Sequence, residues 1–282
     1  MSGPLDYGTL SSLIGTRTQA DCPCPVCGPG CRDPRNRRRK VLRLWHMSED
    51  AISFRCVRCE AKGYAVDWQA KPVDEEERAA WRRKIARAHE DEARERRRKF
   101  KLAERLYAQA RPVAGTLAVD YFRQYRAIKC PLPPSMRFLP PSRGYPAAVL
   151  MPFVDPACNA FHGLHMTRLD AAGRKLDKIM LGAGSAGYPL ICAEPAGDHL
   201  VICEGVEDAL TLTQVTGLPS WAAGSAGRLP ALADRIPAWV NRVTISEDPD
   251  LAGKQGTAGL YRALRYKRLA VAVIHWDEEA AS

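Results

Sequence analysis

The chain has 282 residues, 46% hydrophobic and 26% charged, a composition typical of a soluble globular protein with two or three modest domains. Its longest apolar run, residues 147–154, is too short to span a bilayer, and we see no secretory signal, so we expect a cytoplasmic protein without a membrane partner. The formal net charge of +10 indicates a polyanionic partner, most simply nucleic acid; an ordinary basic surface is the alternative.

Two Cys-x-x-Cys pairs dominate the first 70 residues: Cys24 with Cys27, and Cys56 with Cys59. Ten cysteines in a chain without a signal segment indicate a reducing compartment, where clustered thiols are more often metal ligands than disulfides. Each pair offers two thiolates to one side of a tetrahedral ion. We therefore predict a closed, structural Zn²⁺ site that holds a small β domain folded.

Three further side chains leave alternatives for this zinc site. Cys22, Cys31 and His46 could each replace one ligand, because sites with three cysteines and one histidine are also common. The two symmetrical pairs already complete a tetrahedral shell and are the preferred set. Unliganded thiols are the remaining alternative.

A basic run, RDPRNRRRK, occupies residues 32–40 between the two cysteine pairs. Its closely spaced cations include Arg37, Arg38, Arg39 and Lys40. Trp45 and Phe54 follow in strand-like pieces, and basic plus aromatic residues on a β ribbon suit single-stranded nucleic acid. A solvated loop explains the same run equally well.

Residues 73–111 are predicted to form one long helix. Pro72 precedes the segment and Pro112 follows it, and no Gly or Pro interrupts it. Leu102 and Leu106 stand at helical spacing, and the charges are of mixed sign, as in exposed helices with i,i+4 ion pairs. We interpret the segment as a connecting helix; contact of its arginines with phosphates is the alternative.

The remaining two segments differ in pattern. Residues 112–190 alternate apolar runs with Pro and Gly turns, whereas the last segment alternates strand-like and helix-like runs. In that last segment we predict strands at 200–203, 220–222, 243–246 and 269–275, and helices at about 206–215, 229–236 and 253–266. This alternation is typical of a mostly parallel sheet with helices on its faces.

Carboxylates follow two of these predicted strands directly. Glu204 and Asp208 come after the first strand, and Asp248 and Asp250 after the third. Open α/β sheets bind ligands at such strand ends, and clustered carboxylates repel one another unless a cation or a proton lies between them. The pattern predicts a divalent metal site. Helix N-capping is the alternative, and Glu207 is interpreted as a solvated neighbour.

Five pieces of sequence resemble motifs of one family. Residues 201–210, VICEGVEDAL, and 243–253, VTISEDPDLAG, resemble the glutamate and Asp-x-Asp-x-x-Gly motifs of Toprim (topoisomerase–primase) domains. Shorter pieces similar to primase motifs are YFRQYR at 121–126, GLHMTRL at 163–169 with Arg168, and KIMLG at 178–182 with Lys178. With the cysteine pairs, this order resembles the DNA primases of bacteria and their phages, especially short phage- and plasmid-type Toprim proteins.

The resemblance implies an enzyme that makes short RNA primers on single-stranded DNA from nucleoside triphosphates. Glu204, Asp248 and Asp250 would then bind catalytic Mg²⁺ or Mn²⁺, and Asp208 would face the same site. Template or triphosphate would be held by Arg168, Lys175 and Lys178, for which ordinary surface cations are the alternative. A loop of small residues at 223–227 would offer the amides of Gly224 and Ser225.

The expected fold is α/β, with a Toprim (Rossmann-like, mostly parallel sheet) catalytic domain and a basic α+β subdomain, preceded by a small β zinc ribbon and a long linking helix. The corresponding domains are 1–70, 71–111, 112–190 and 191–282. We find no P-loop motif, so DNA unwinding is expected from a replicative helicase in trans. A non-catalytic zinc/Toprim DNA-binding protein and a Toprim nuclease remain as alternatives.

Overall fold

The computed structural model describes residues 5–31, 34–59, 61–67, 75–182, 187–194 and 196–276. The chain divides into two compact units, residues 1–95 and 96–282. Within the described ranges, no helix combines the length and apolar character that a membrane crossing requires.

The first unit is a four-stranded antiparallel sheet with a short helix against it. Its elements are α1 (Tyr7–Ile14), β1 (Gln19–Pro23), α2 (Pro34–Arg37), β2 (Lys40–Ser48), β3 (Ala51–Cys56), β4 (Lys62–Val66) and the start of α3 (Glu75–Gln109). The strands lie in chain order. Because side chains alternate along a strand, Leu42 and Leu44 point to the buried face, where they pack against Leu10 and Ile14 of α1.

The long helix α3 spans 35 residues, which confirms the predicted linking helix. Residues 73 and 74, at the predicted start, lie outside the described residues. In the second unit, Ala103 is fully buried and Leu106 packs against the same cluster, while the preceding turns carry mostly exposed charges. In the second unit the helix is therefore anchored by an apolar stripe near its C-terminal end.

The second unit begins with a five-stranded antiparallel sheet in the order β5-β6-β7-β8-β9. Its elements are β5 (Arg111–Pro112), α4 (Leu117–Asp120), a π-helical turn (Tyr121–Tyr125), β6 (Arg137–Leu139), β7 (Ala147–Val154), β8 (Phe161–Leu169) and β9 (Lys175–Leu181). Strand β7 is buried on both faces: Val149 and Met151 enter the main core, and Ala148 and Leu150 lie in the cluster with α3. This explains its unbroken apolar run.

The rest of the second unit is a five-stranded sheet in the order β10-β12-β11-β13-β14, parallel except for β10. Its elements are β10 (Leu190–Ile191), β11 (His199–Cys203), α5 (Val206–Thr216), β12 (Ser220–Ala222), 3-10 helices at Ala226–Arg228 and Pro230–Arg235, β13 (Arg242–Glu247), α6 (Leu251–Tyr266) and β14 (Ala270–His275). The predicted mostly parallel α/β sheet is confirmed.

One predicted helix has a different form. The segment expected at 229–236 is a 3-10 helix instead of an α-helix. Pro230 begins it and Pro237 follows it, so the segment is confined to a short stretch, the length at which 3-10 helices are common.

The two sheets of the second unit share one hydrophobic core. Phe138 and Phe153 come from the antiparallel sheet, and Val201, Cys203 and Leu210 come from β11 and α5. This packing holds the carboxyl ends of the parallel strands beside β9. The division into four domains stays a prediction, and its first boundary falls in residues 68–74, outside the described ranges.

Candidate metal centre and candidate active site

The structure brings the four predicted cysteines of the first unit together. All four Sγ atoms lie within 4.8 Å of one another. The Sγ atoms of Cys24 and Cys59 are 3.9 Å apart, and those of Cys27 and Cys56 are 3.7 Å apart. A tetrahedral zinc ion with bonds of about 2.3 Å requires sulfur separations of about 3.8 Å. The four thiols therefore fit a structural Zn²⁺ ion without rearrangement.

The backbone around the cysteines also suits a metal site. The amides of Arg58 and Cys59 donate to Cys56 Sγ at 3.4 and 3.5 Å, which stabilises a thiolate there. In the first pair, Gly28 N donates to Cys24 O at 2.8 Å. A Cβ at position 28 would lie 2.5 Å from that oxygen, so the turn requires glycine.

The three alternative ligands lie outside the cluster. Cys22 is buried and donates to a backbone carbonyl at 3.6 Å. His46 is also buried, with Nε2 3.1 Å from the carbonyl oxygen of Gly15. Cys31 Sγ donates to the Cys27 carbonyl at 3.2 Å and accepts from Arg58. The Cys₄ set is therefore the one that the tertiary structure favours.

From residue 36 to residue 40 the basic run is exposed, and it is hydrogen bonded to Cys31 and to Arg58, which lies between the cysteines of the second pair. Arg37 Nε donates to Cys31 O at 2.8 Å, and Arg58 Nη2 donates to Asn36 O at 2.9 Å. The next three cations along the run, all exposed, are Arg38, Arg39 and Lys40. Arg32, at the start of the run, lies outside the described residues.

The outward face of the first unit's sheet combines cations with aromatic rings. Two neighbouring cross-strand rows cover it: Arg43, Arg55 and Lys62, and then Trp45, Ser53 and Tyr64. Arg43 is held by Asp21 and Glu92, at 2.6 and 3.0 Å. Phe54, which we expected on this surface, instead points into the core, because it alternates with Ser53 and Arg55 along β3.

In the second unit, neighbouring strand ends bring acidic residues together. Strands β11 and β13 are parallel, with Ile202 opposite Ile245, so Glu204 and Asp248 leave the sheet at the same edge. They line a cleft of about 150 Å³, which we call the acidic–basic cleft. Its lining residues are Arg126, Lys175, Lys178, Glu204, Gly205, Glu207, Asp208 and Asp248.

Asp250, the fourth predicted acid, has a structural task. Its Oδ1 accepts the Gly253 amide at 2.7 Å and caps α6, so the capping alternative holds for this residue. A Cβ at position 253 would lie 2.4 Å from Asp248 O, which explains the motif's glycine. The described residues contain no second group of three ligand atoms as close together as the four thiols.

The acids of the cleft repel one another. Burial, followed by the charges of Glu204 and Asp208, raises the pKa of Asp248 to about 6. Burial also raises the pKa of Glu204, with a partial offset from Lys178 and a further rise from Asp250. Although Asp208 is exposed as a residue, desolvation of its carboxylate in the cleft and the charge of Glu207 raise its pKa. A cation bound between these carboxylates would relieve their repulsion and thereby stabilise the cluster.

Two of the three predicted cations face these acids. Lys178 Nζ lies 3.7 Å from Glu204 Oε1, and Lys175 Nζ donates to Glu207 Oε1 at 2.6 Å. Arg168 is not among the lining residues. It makes a two-pronged ion pair with Asp177, directly opposite on β9, with Nε 2.6 Å from Oδ1.

Three residues of the cleft region were missed by the sequence reasoning: Tyr121, Arg126 and Glu207. Tyr121 OH donates to Glu207 Oε1 at 2.7 Å, and Arg126 Nε donates to Tyr121 OH at 3.0 Å. Glu207 is not the solvated neighbour we expected. Burial acts to raise its pKa, but the charge and hydrogen bond of Lys175, with the bond from Tyr121, lower it to about 2. The sequence did contain signals for these residues: Glu207 stands beside Asp208, and Tyr121 and Arg126 belong to the YFRQYR motif.

The loop of small residues at 223–227 forms backbone hydrogen bonds to Glu204. Gly224 N donates to the Glu204 carbonyl at 2.8 Å, so this amide is already used. Ser225 begins the 3-10 helix without a side-chain cap, and the Ala226 amide is hydrogen bonded to Glu204. The loop therefore holds Glu204 in place.

Family comparisons divide the second unit along the same line as its two sheets. Residues 199–280, which begin at β11, match the Toprim domain family. This part of the chain is a Toprim domain. The match confirms the interpretation of the two acidic motifs as Toprim motifs, and the four-cysteine cluster precedes this domain in the chain. Residues 97–187 match a domain of unknown function (DUF7146), which supplies the basic side of the cleft opposite the Toprim acids.

Two solved structures are similar to the chain at low identity. One is the primase fragment of the bacteriophage T7 primase-helicase protein, with 17% identity, a TM-score of 0.38, and coverage of 49% of this chain. The chain spans 58% of that fragment. The other, of Aquifex aeolicus primase (zinc binding and RNA polymerase domains), has 14% identity, a TM-score of 0.34, and coverage of 93% of this chain and 73% of that one. No curated protein has a matching sequence.

Proposed function

We propose that the protein is a DNA primase that makes short RNA primers on single-stranded DNA by metal-dependent nucleotidyl transfer. The observation that carries this proposal is the acidic–basic cleft. Carboxylates at two neighbouring strand ends of a Toprim domain face lysines of an antiparallel basic subdomain across it. A site that joins a nucleotide to a growing chain needs carboxylates that bind divalent cations and basic side chains that bind phosphates.

The cleft residues suit the steps of this reaction. In nucleotidyl transfer a 3′-hydroxyl attacks the α-phosphate and pyrophosphate leaves. Glu204, Asp248 and Asp250 would supply the oxygen ligands that Mg²⁺ or Mn²⁺ prefer, and Asp208 faces the same space. The bound ions would lower the hydroxyl pKa and neutralise phosphate charge. Lys175 and Lys178 would hold the triphosphate.

The first unit would bind the template. The outward face carries exposed Arg55, Lys62 and Tyr64 beside Trp45, and base stacking on aromatic rings next to cations is the general mode of single-strand binding. The exposed cations from Arg37 to Lys40 would add phosphate contacts, and Arg168 would add one only by exchanging Asp177 for a phosphate. We infer that a separate replicative helicase supplies the single strand.

A non-catalytic DNA-binding protein is the second candidate. Asp250 caps α6 and Lys178 contacts Glu204, so two of the carboxylates already have partners within the protein. A nuclease is the third, because the same acids could direct water at a phosphodiester.

One incubation separates the three functions. The zinc-loaded protein is mixed with single-stranded DNA, labelled nucleoside triphosphates and Mg²⁺ or Mn²⁺, beside an Asp248→Asn/Asp250→Asn variant. Asn caps helices as well as Asp does, so the variant keeps α6. Short labelled oligomers from the wild type alone support the primase. Intact, bound DNA without oligomers supports the binding protein, and DNA cleaved only by the wild type supports the nuclease.

A further inference from the structure

One carboxylate oxygen in the cleft accepts two hydrogen bonds from the opposite wall. Glu207 Oε1 accepts from Tyr121 OH at 2.7 Å and from Lys175 Nζ at 2.6 Å. Both donors belong to the segment that matches the domain of unknown function, whereas Glu207 stands in the first turn of α5 in the Toprim domain. The Glu207 side chain is 16% exposed, so solvent competes little with these bonds.

The contact continues to a second cation. Tyr121 is 1% exposed and begins the π-helical turn, and Tyr121 and Phe122 both lie in the core. Its hydroxyl accepts from Arg126 Nε at 3.0 Å while it donates to Glu207. The two terminal nitrogens of the Arg126 guanidinium remain available to the cleft that this residue lines.

We propose that Glu207 is a positioning residue for the triphosphate: it fixes Lys175 directly and Arg126 through Tyr121, so that both cations face the acidic wall. The proposal rests on the proposed function. Lys175 has three N–H donors, of which one is used by Glu207 and two can reach phosphate oxygens. Arg126 offers two parallel N–H groups, a geometry that matches a phosphate.

Glu207→Gln is the first test, because it keeps the shape of the side chain and an oxygen for Tyr121 but removes the charge that holds Lys175. A lysine released from a fixed geometry must be ordered again by the ligand. We expect Mg·ATP to bind the full-length, zinc-loaded variant about tenfold more weakly and the KM for nucleotides to rise by a similar factor, with a smaller change in kcat. The thermal unfolding midpoint should stay close to that of the wild type.

A double-mutant cycle distinguishes positioning from general support of the fold. If Glu207 acts through Lys175, the Glu207→Gln/Lys175→Ala protein should bind Mg·ATP no more weakly than Lys175→Ala alone. Lys178 is the matched comparison, because it contacts Glu204 and not Glu207. The effects of Glu207→Gln and Lys178→Ala should therefore add. Tyr121→Phe, which keeps the buried ring, should likewise cause no further loss of Mg·ATP affinity in an Arg126→Ala protein. This second cycle replaces the first if Glu207→Gln fails to fold.

The outcomes separate this inference from the proposed function. If the protein makes primers but the effects of Glu207→Gln and Lys175→Ala on Mg·ATP binding are additive, the positioning role is wrong. It is also wrong if Mg·ATP affinity falls only in variants whose unfolding midpoint falls in proportion. Wild-type binding of Mg·ATP without primers would overturn the primase and still allow the cycle to decide on Glu207. A wild type that binds no Mg·ATP would overturn both. Asp198→Asn, which breaks a half-exposed ion pair with Arg242 at the other end of β11, should change none of these values.

Discussion

Replacing Asp248 by asparagine should make the metal-free protein more stable while it removes metal binding. The reason is the repulsion and desolvation that the Asp248 carboxylate suffers beside Glu204 and Asp208. Asn has nearly the same shape but no charge, so it removes this cost and keeps the packing. A residue whose charge destabilises the fold in this way is typical of a functional site.

The size of the effect follows from the pKa. In the folded protein the pKa of Asp248 is about 6, against about 3.9 in an unfolded chain. The folded state therefore holds the proton more tightly, and the stability that protonation provides is complete below about pH 4 and is lost as the pH rises through about 6. A pKa difference of about two corresponds to nearly 3 kcal/mol, which partial solvent contact reduces to about 1–2 kcal/mol at pH 7.5.

Urea unfolding of the zinc-loaded, Mg²⁺-free protein measures this difference. Trp221, fully buried in the Toprim domain, contributes a fluorescence signal from that core. We expect Asp248→Asn to unfold at higher urea concentration at pH 7.5, and the gain to disappear near pH 4. Added Mg²⁺ should stabilise the wild type only. A gain of equal size at both pH values, or no gain at pH 7.5, would refute the electrostatic explanation. Asp198→Asn serves as control and should give no gain, because Arg242 lowers the pKa of Asp198.

Two further predictions concern the first unit. Cys27→Ser should lose the single zinc ion per chain and the folded ribbon, whereas Cys31→Ser, four residues away, should keep both; metal analysis and circular dichroism check this, and equal zinc loss in both variants would contradict the Cys₄ assignment. Tyr64→Ala should weaken the binding of single-stranded DNA about tenfold, the loss of one stacked base, as measured by fluorescence anisotropy. Tyr266→Ala, which removes a 91% exposed ring from the end of α6, is the matched control, and equal effects would contradict the binding face.

Local signals in the sequence were sufficient for much of the architecture. The cysteine spacing predicted the metal-ligand set, since two turns with paired thiols have few other uses in a reducing compartment. Uninterrupted helical periodicity between two prolines predicted α3, and the alternation of β11, α5, β13 and α6 predicted the parallel sheet. The carboxylates Glu204 and Asp248 could be placed at one edge because parallel strands end on the same side.

Contacts between distant segments were decided by tertiary packing alone. Arg168 and Lys178 looked equivalent in the sequence. In the fold Arg168 pairs with Asp177 on the neighbouring strand, whereas Lys178 enters the cleft and contacts Glu204. Phe54 became core because of its register on β3. Glu207 acquired Tyr121, 86 residues away in sequence, only because the two sheets share a core. A short motif determines which side chains its own turn places at the site. A contact with a side chain from another element depends on how the whole unit packs, and no local sequence pattern encodes that packing.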